Sequence, residues 1–247
     1  MSSSGTKAAM GRVLLICADS STIQQVAEGM QEFAIATEVC NEVRLAMRQL
    51  NRQKFEAVIV DLGLAQAGKI LEHVRLSPSN RTAVTFAITD PQKPSLLEIQ
   101  QNEVKPNFVM EKPLSAGSVG RTLKVAFGSI VRERRRSFRC PVKIPAVILT
   151  SEKEANCHVV NISEGGMAIA ESPSLKPGRQ VKVRFTLPGQ NDRFTFESEV
   201  CWYDEKGRAG LRSLIIPPEQ RSTLQNWLGA KLEEDLPESV ALRFRRT

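Results

Sequence analysis

Arg134-Arg135-Arg136-Ser137-Phe138-Arg139 and, 22 residues beyond Arg139, Asn161-Ile162-Ser163-Glu164-Gly165-Gly166 are the stretches from which the rest of this chain can be read. The first has the form RRxxxR and the second NxSxxG. A guanidinium is a planar fork that grips phosphate oxygens, offers paired donors to the edge of a guanine, and stacks on a purine face. Asn and Ser supply short, directional donors and acceptors. Glycine permits a sharp turn or a close backbone approach. An arginine cluster alone reads as a solvated charge run; joined to NxSxxG in a strand-rich segment it reads as a phosphate- and base-recognition site.

The surroundings of these stretches are rich in short strands. Ala146–Thr150, His158–Val160, Met167–Ala170, Val181–Leu187, Phe194–Trp202 and Ala209–Ile215 are strand-like runs. Turn chemistry separates them, at Ser163-Glu164-Gly165-Gly166, Lys176-Pro177-Gly178, Pro188-Gly189-Gln190-Asn191 and Asp204-Glu205-Lys206-Gly207. This spacing predicts an antiparallel β-barrel or sandwich. Pro217-Pro218 then opens a helix that puts Leu224, Trp227, Leu228 and Leu232 on one face.

The first half has another rhythm. Val13–Cys17 is a continuous apolar run, as in a strand buried on both faces, and Ser20 or Ser21 follows as a helix N-cap. Strand candidates at Ala34–Val39, Ala57–Val60, Val84–Ile88 and Phe108–Met110 alternate with helical patterns at Val43–Leu50, Lys69–Arg75, Leu96–Gln101 and Val119–Val131. Such alternation predicts a doubly wound α/β domain with a parallel sheet. The expected organisation is a disordered lead at 1–10, an α/β domain at 11–130, a barrel domain with a C-terminal helix at 131–232, and a mobile tail at 233–247, where Val240-Ala241-Leu242 offers a docking alternative. The helix at Val119–Val131 runs into the arginine cluster with no Pro/Gly/Ser linker.

RRxxxR followed by NxSxxG, together with Val200-Cys201-Trp202 and Gly207-Arg208-Ala209-Gly210-Leu211-Arg212, resembles the PilZ domain family over about residues 132–232. The resemblance implies a receptor for cyclic di-GMP. It implies that Arg135 and Arg139 bind phosphate and the guanine edge, that Asn161 and Ser163 contact the second guanine or its phosphate, and that Gly166 keeps the pocket clear. Arg134 matches an arginine that stacks on an intercalated ligand pair, which implies two cyclic di-GMP molecules per chain. Ligand binding is expected to order a flexible arginine segment. Arg132 and Arg136 read as solvated or phosphate-steering, Phe138 as a barrel anchor, and Trp202 and Trp227 as core. His158 reads as a strand position and His73 as exposed.

Residues 12–130 resemble a response-regulator receiver domain of flavodoxin-like topology. Val13–Ser20 is similar to its first strand and acidic pocket, and Phe55–Asp61 to the strand ending at the phosphoacceptor. Thr89 and Lys112 match its hydroxyl residue and its Lys-Pro, 28 and 51 residues after Asp61. The resemblance implies Mg²⁺ at Asp19 and Asp61, with Thr89 and Lys112 on the incoming phosphoryl group and a sensor kinase as partner. The chain departs from the pattern at Ala18, where a second acid is usual, and in a loop after Asp61 without the usual proline. Asp61 therefore stands between two readings, a phosphoacceptor and an acid that merely ends a strand, with a degenerate site the favoured one.

The 247 residues carry a net charge of +7, of which residues 131–232 hold +6 (17 Lys+Arg against 11 Asp+Glu) and residues 12–130 only +1. An anionic partner for the second half follows. Nucleic acid ranks last, for want of a recognition helix or a stacking platform. The five cysteines are scattered without CxxC spacing and read as free thiols of a reducing cytoplasm. No stretch has the ~18 apolar residues of a membrane span, and no His, Ser or Cys constellation has nucleophile–base spacing. The expected protein is a non-enzymatic cytoplasmic receptor that signals through a protein partner, the alternative being a phosphorylation-driven response regulator whose barrel is an interaction module.

Overall fold

The structure is a computed structural model that describes residues 9–92, 104–151, 153–234 and 236–245. The chain divides into one compact unit of residues 1–134 with 235–247, and a second of residues 135–234. The helix expected at Leu96–Gln101 lies outside the described residues, as does most of the lead at 1–10. Met10, assigned to that lead, is fully buried and donates its backbone N–H to Ala34 O at 2.7 Å.

The first unit is built on β1 (Gly11–Ile16), β2 (Ile35–Cys40), β3 (Ala57–Asp61), β4 (Val84–Thr89) and β5 (Phe108–Glu111). All neighbours are parallel, in the order β2-β1-β3-β4-β5. This is the flavodoxin-like doubly wound order. β3 and β4 are buried along their whole length, which is why neither alternates between apolar and charged residues as a half-exposed strand does. Helices α1 (Ser20–Gln31), α2 (Val43–Arg52), α3 (Gly68–Leu76) and α4 (Ala116–Ser137) complete the layers. The cap of α1 is Asp19, whose carboxylate accepts from Thr22 N–H, one residue before the serines expected to serve.

Helix α4 continues six residues past its expected end at Val131 and takes in Arg132, Arg134, Arg135 and Arg136. Arginine is a good helix former, and Glu133 fixes the turn. Its carboxylate is 4% exposed, bonds Lys54 Nζ, and accepts from Thr82 Oγ1 at 2.7 Å. Most of the arginine segment expected to be flexible is thus helical. The final stretch expected to be mobile contains a further helix, α6 (Glu238–Arg245), with Val240 and Ala241 buried.

The second unit is a closed antiparallel barrel, β10-β11-β8-β7-β6-β9, formed by β6 (Cys140–Leu149), β7 (Glu154–Ser163), β8 (Gly166–Ala170), β9 (Gln180–Thr186), β10 (Arg193–Tyr203) and β11 (Ala209–Ile215). Closure leaves no strand edge open for pairing. β6 starts six residues earlier than expected. Pro141 and Pro145 hid it, but both point outward, and a register shift between Pro141 and Ile144 absorbs the break. Phe185, Phe194 and Phe196 pack with centroids 5.1–6.0 Å apart in the barrel core. α5 (Pro218–Glu233) buries Leu224, Trp227, Leu228 and Leu232, the face expected from its spacing. Trp227 Nε1 donates to Pro188 O at 3.1 Å.

Candidate functional site

In the barrel unit a cleft of about 550 Å³ opens beside the β7–β8 turn. Its walls hold Arg136 and Arg139 from the RRxxxR stretch, and Asn161, Ser163, Gly165 and Gly166 from NxSxxG. β10 and β11 add Cys201, Trp202, Gly210 and Arg212. Three arginines and no carboxylate line it. Of the residues singled out in the sequence, Arg139, Asn161, Ser163 and Gly166 come together here. Arg134 and Arg135 are not among the lining residues.

Arg139 is positioned from both sides. Phe138 packs against the barrel core, and Cys140 begins β6 with its side chain buried. The guanidinium between these anchors donates from Nη1 to Ser163 Oγ at 3.3 Å. Ser163 is 3% exposed and donates its own hydroxyl hydrogen bond to Gly166 O at 3.0 Å. The two motifs therefore share one hydrogen-bonded chain. Asn161 lies at a register shift between β7 and β8, where a strand re-aims its side chains.

Gly166 has a structural reason independent of any ligand. A Cβ there would stand 2.1 Å from Leu211 O, a backbone atom of the neighbouring strand. Gly210 has a different one: a Cβ there would stand 2.0 Å from Nε1 of Trp202. The indole therefore lies across Gly210, its cross-strand partner, and this vacant face is what seats the ring. A register shift between Val200 and Trp202 turns both Cys201 and Trp202 outward. Trp202, expected in the core, is 46% exposed and lies in the cleft. Its neighbour Arg212 pairs with Glu199 Oε2 at 2.9 Å, which raises its pKa through hydrogen bonding and charge.

The sequence reading missed Trp202, Arg136 and Arg212 as cleft residues. A tryptophan opposite a glycine on adjacent strands was the available signal for the first, because an indole can cover the bare backbone. His158 sits on β7 and pairs with Glu171, while His73, expected to be exposed, is half-buried with its Nε2 3.0 Å from Asn51 Oδ1.

At the carboxyl edge of the parallel sheet, Asp61, Thr89 and Lys112 meet as the topology requires. Asp61 is 5% exposed; its Oδ2 takes Lys112 Nζ at 2.7 Å and the Cys17 thiol at 3.3 Å, and its Oδ1 takes Gly63 N–H at 2.9 Å. Burial works against the charge on Lys112, but the bond to Asp61 holds its pKa above the ordinary value. Burial, reinforced by the Asp61 charge, pushes the Cys17 thiol up to about 11. Bonds from Thr22 hold Asp19 below the usual carboxylate range. Thr89 Oγ1 is buried without a hydrogen-bond partner.

A cleft of about 530 Å³ lies beside this edge, lined by Asp19, Ser21, Thr22, Asp90 and Lys112 among others. Mg²⁺ accepts one or two carboxylates with water in the remaining positions, so Asp19 and Asp61 are a minimal donor set. Each already has other partners, and Ala18 supplies no third carboxylate. Among the described residues no three His, Cys, Asp or Glu side chains gather as a metal cluster, and no helix is long and apolar enough to cross a membrane.

The family model of the PilZ domain matches residues 133–230, and the chain carries a PilZ domain there. Ahead of it stands a unit similar to receiver domains. Among solved structures, the chain is similar to the inhibitor of motility MotI/DgrA of Bacillus subtilis, with 22% identity and a TM-score of 0.34 over 38% of this chain and 48% of that one. It thus spans about half the length of that protein. It is similar over 48% of its length to the receiver domain of sensor histidine kinase PA1611 of Pseudomonas aeruginosa, covering 98% of it with 18% identity and a TM-score of 0.41. It also covers 98% of the PilZ domain of CeSA from a cellulose synthesizing bacterium, over 38% of its own length, with 19% identity and a TM-score of 0.33. No curated protein matches the chain.

Proposed function

We propose that this chain is a non-enzymatic receptor for cyclic di-GMP, which it takes into the barrel cleft. The observation that carries the reading is the joint placement of Arg139, Asn161 and Ser163 in one cleft with two further arginines and a half-exposed indole. Cyclic di-GMP is a dianion with two purines. Arg139 and Arg136 answer its phosphates and a guanine O6/N7 edge. Asn161 and Ser163 supply polar contacts from the barrel wall, and Trp202 offers a stacking face, worth about 1–3 kcal/mol per base in comparable sites.

The output we infer is conformational. Arg136 lies in the last turn of α4 and Arg139 follows two residues after its end, so a ligand that draws in these guanidiniums biases the C-terminal end of that helix. A ligand shifts a conformational balance by its differential affinity for the two states. A protein partner would read the change, and the cytoplasm is where such a ligand and partner would meet.

A phosphorylation-driven response regulator is the second reading, and the unpartnered hydroxyl of Thr89 beside Asp61 and Lys112 favours it. Calorimetric titration with cyclic di-GMP tests the first reading, saturable binding being expected. Signalling by an Asp61→Asn chain separates the two: it survives in the first and is abolished in the second.

A further inference from the structure

A second groove, of about 610 Å³, lies on the outer face of the barrel where β6 runs between β7 and β9. Side-chain length makes it a trough. Pro145 and Val147 are the short, outward residues of β6 and form an apolar floor. Longer polar side chains flank them. His158 and Asn156 lie opposite Pro145 and Val147 on β7, and Arg184 lies opposite Val147 on β9. Arg193, at the start of β10, completes the wall. Arg184 faces Thr195 and Arg193 faces Thr186, so the two arginines are diagonal neighbours on one sheet face.

The wall holds two guanidiniums and an imidazole, and no carboxylate. Arg193 is exposed and forms no ion pair among the described residues. Arg184 bonds Glu154 Oε2 at 2.7 Å, and His158 Nδ1 stands 2.9 Å from Glu171 Oε2. Both glutamates are exposed and lie outside the wall. Exposed pairs are weakly held, so an incoming carboxylate can take their place. The one aromatic residue of the lining, Phe185, is 3% exposed and packs in the core. A nucleotide would therefore find no stacking face here. Closure of the barrel leaves no strand edge to which a partner strand could add. An extended peptide lying across the face meets neither obstacle. Its alternate side chains project the same way about 6.6 Å apart, close to the roughly 7–8 Å between diagonal neighbours. Two acids at alternate positions reach both arginines, and an apolar side chain at the next alternate position meets the floor.

We infer that this face docks an extended acidic segment of a partner protein, its carboxylates on Arg184 and Arg193 and an apolar side chain on Pro145 and Val147. The groove shares no residue with the barrel cleft, so the inference stands whether or not that cleft takes cyclic di-GMP.

Selection of a random peptide library on the full chain, followed by anisotropy titration of the selected peptides, tests it. Peptides with Asp or Glu at alternate positions should be enriched. Arg193→Glu, at an exposed position, should fold and weaken their binding by about tenfold or more, the loss of one charge-assisted contact. The double variant Arg184→Glu, Arg193→Glu should weaken it further. Lys182→Glu makes the same charge change on β9 outside the groove and should leave affinity nearly unchanged. Failure to enrich any peptide, enrichment without acidic bias, or equal losses in Arg193→Glu and Lys182→Glu would each overturn the inference. A wild-type dimer that Arg193→Glu dissolves would assign the face to a second copy of the chain and overturn it as well.

Discussion

At the carboxyl edge of the parallel sheet the buried acid is already answered: Asp61 is held by Lys112, Cys17 and Gly63, and Asp19 caps α1. The barrel cleft instead gathers Arg136, Arg139 and Arg212 with no acid in its wall, and adds an indole whose face is open. Arg212 pairs with Glu199, which is not among the lining residues. One region pairs its buried acid with a lysine, whereas the other lines a cleft with guanidiniums, a wall chemistry suited to an anion. Residues 131–232, which include the whole arginine cluster, carry +6 of the chain's +7. The cleft wall, not the sheet edge, is therefore the place where the proposed anionic ligand is tested.

The largest expected effect breaks this contrast on its cationic side. Arg139→Ala should weaken cyclic di-GMP binding by about 3 kcal/mol, roughly 100-fold, because a bidentate guanidinium makes two charge-assisted contacts of about 1.5–3 kcal/mol each before compensation. Calorimetry would show it, and unchanged affinity would remove Arg139 from the site.

Two glycines sharpen the comparison within the cleft. Gly166→Ala drives a Cβ against the backbone of Leu211, which has nowhere to go. A loss of about 1–3 kcal/mol in stability is expected, read by thermal melting. Gly210→Ala meets only the indole of Trp202, which can swing into solvent. Its melting temperature should hardly move while ligand affinity falls about tenfold, within the range of one lost stacking contact. Equal effects in the two variants would contradict the distinct roles given to these glycines.

The opposite side of the contrast is tested by phosphorylation. With a small phosphodonor and Mg²⁺, the intact mass should show little aspartyl phosphate, and Ala18→Asp should increase it by restoring a metal carboxylate. Fast, near-stoichiometric modification of the wild type would show that the Asp61–Lys112 pair opens readily and that Asp61 is a working acceptor.

The fold was legible because burial leaves a period. The stretch Val13–Ile16 of β1 read as an apolar run, β11 was located to the residue, and the inner face of α5 was named in full. What escaped was decided by partners distant in sequence. Trp202 looked like core until Gly210, eight residues on and opposite it, proved to be its seat. The end of α4 was placed early because polar residues carry no apolar signal, and Glu133 is buried with Lys54 and Thr82 among its partners. Arg134 matched its motif, but the carboxylate that holds it is 78 residues away. A motif names the residue types of a site; the pairing of strands and charges selects the members that line it.

The smallest effect expected concerns the thiols. Cys201 is the one exposed cysteine, while Cys17 and Cys157 are buried, with burial pushing both to about 11. A raised pKa leaves less thiolate at pH 8, and the thiolate is the reactive form. A thiol reagent at pH 8 should therefore label Cys201 first, and cyclic di-GMP should slow that labelling several-fold because Cys201 lines the cleft. Labelling at an unchanged rate under saturating ligand would place the ligand elsewhere.

The most direct test of which region receives the ligand is the backbone amide spectrum of the full chain during addition of cyclic di-GMP, with the indole N–H of Trp202 as an added reporter. The largest shifts are expected at Arg139, at 161–166, and at Trp202 and Gly210. Shifts concentrated at Asp19, Asp61, Thr89 and Lys112, with the barrel resonances unmoved, would contradict the account.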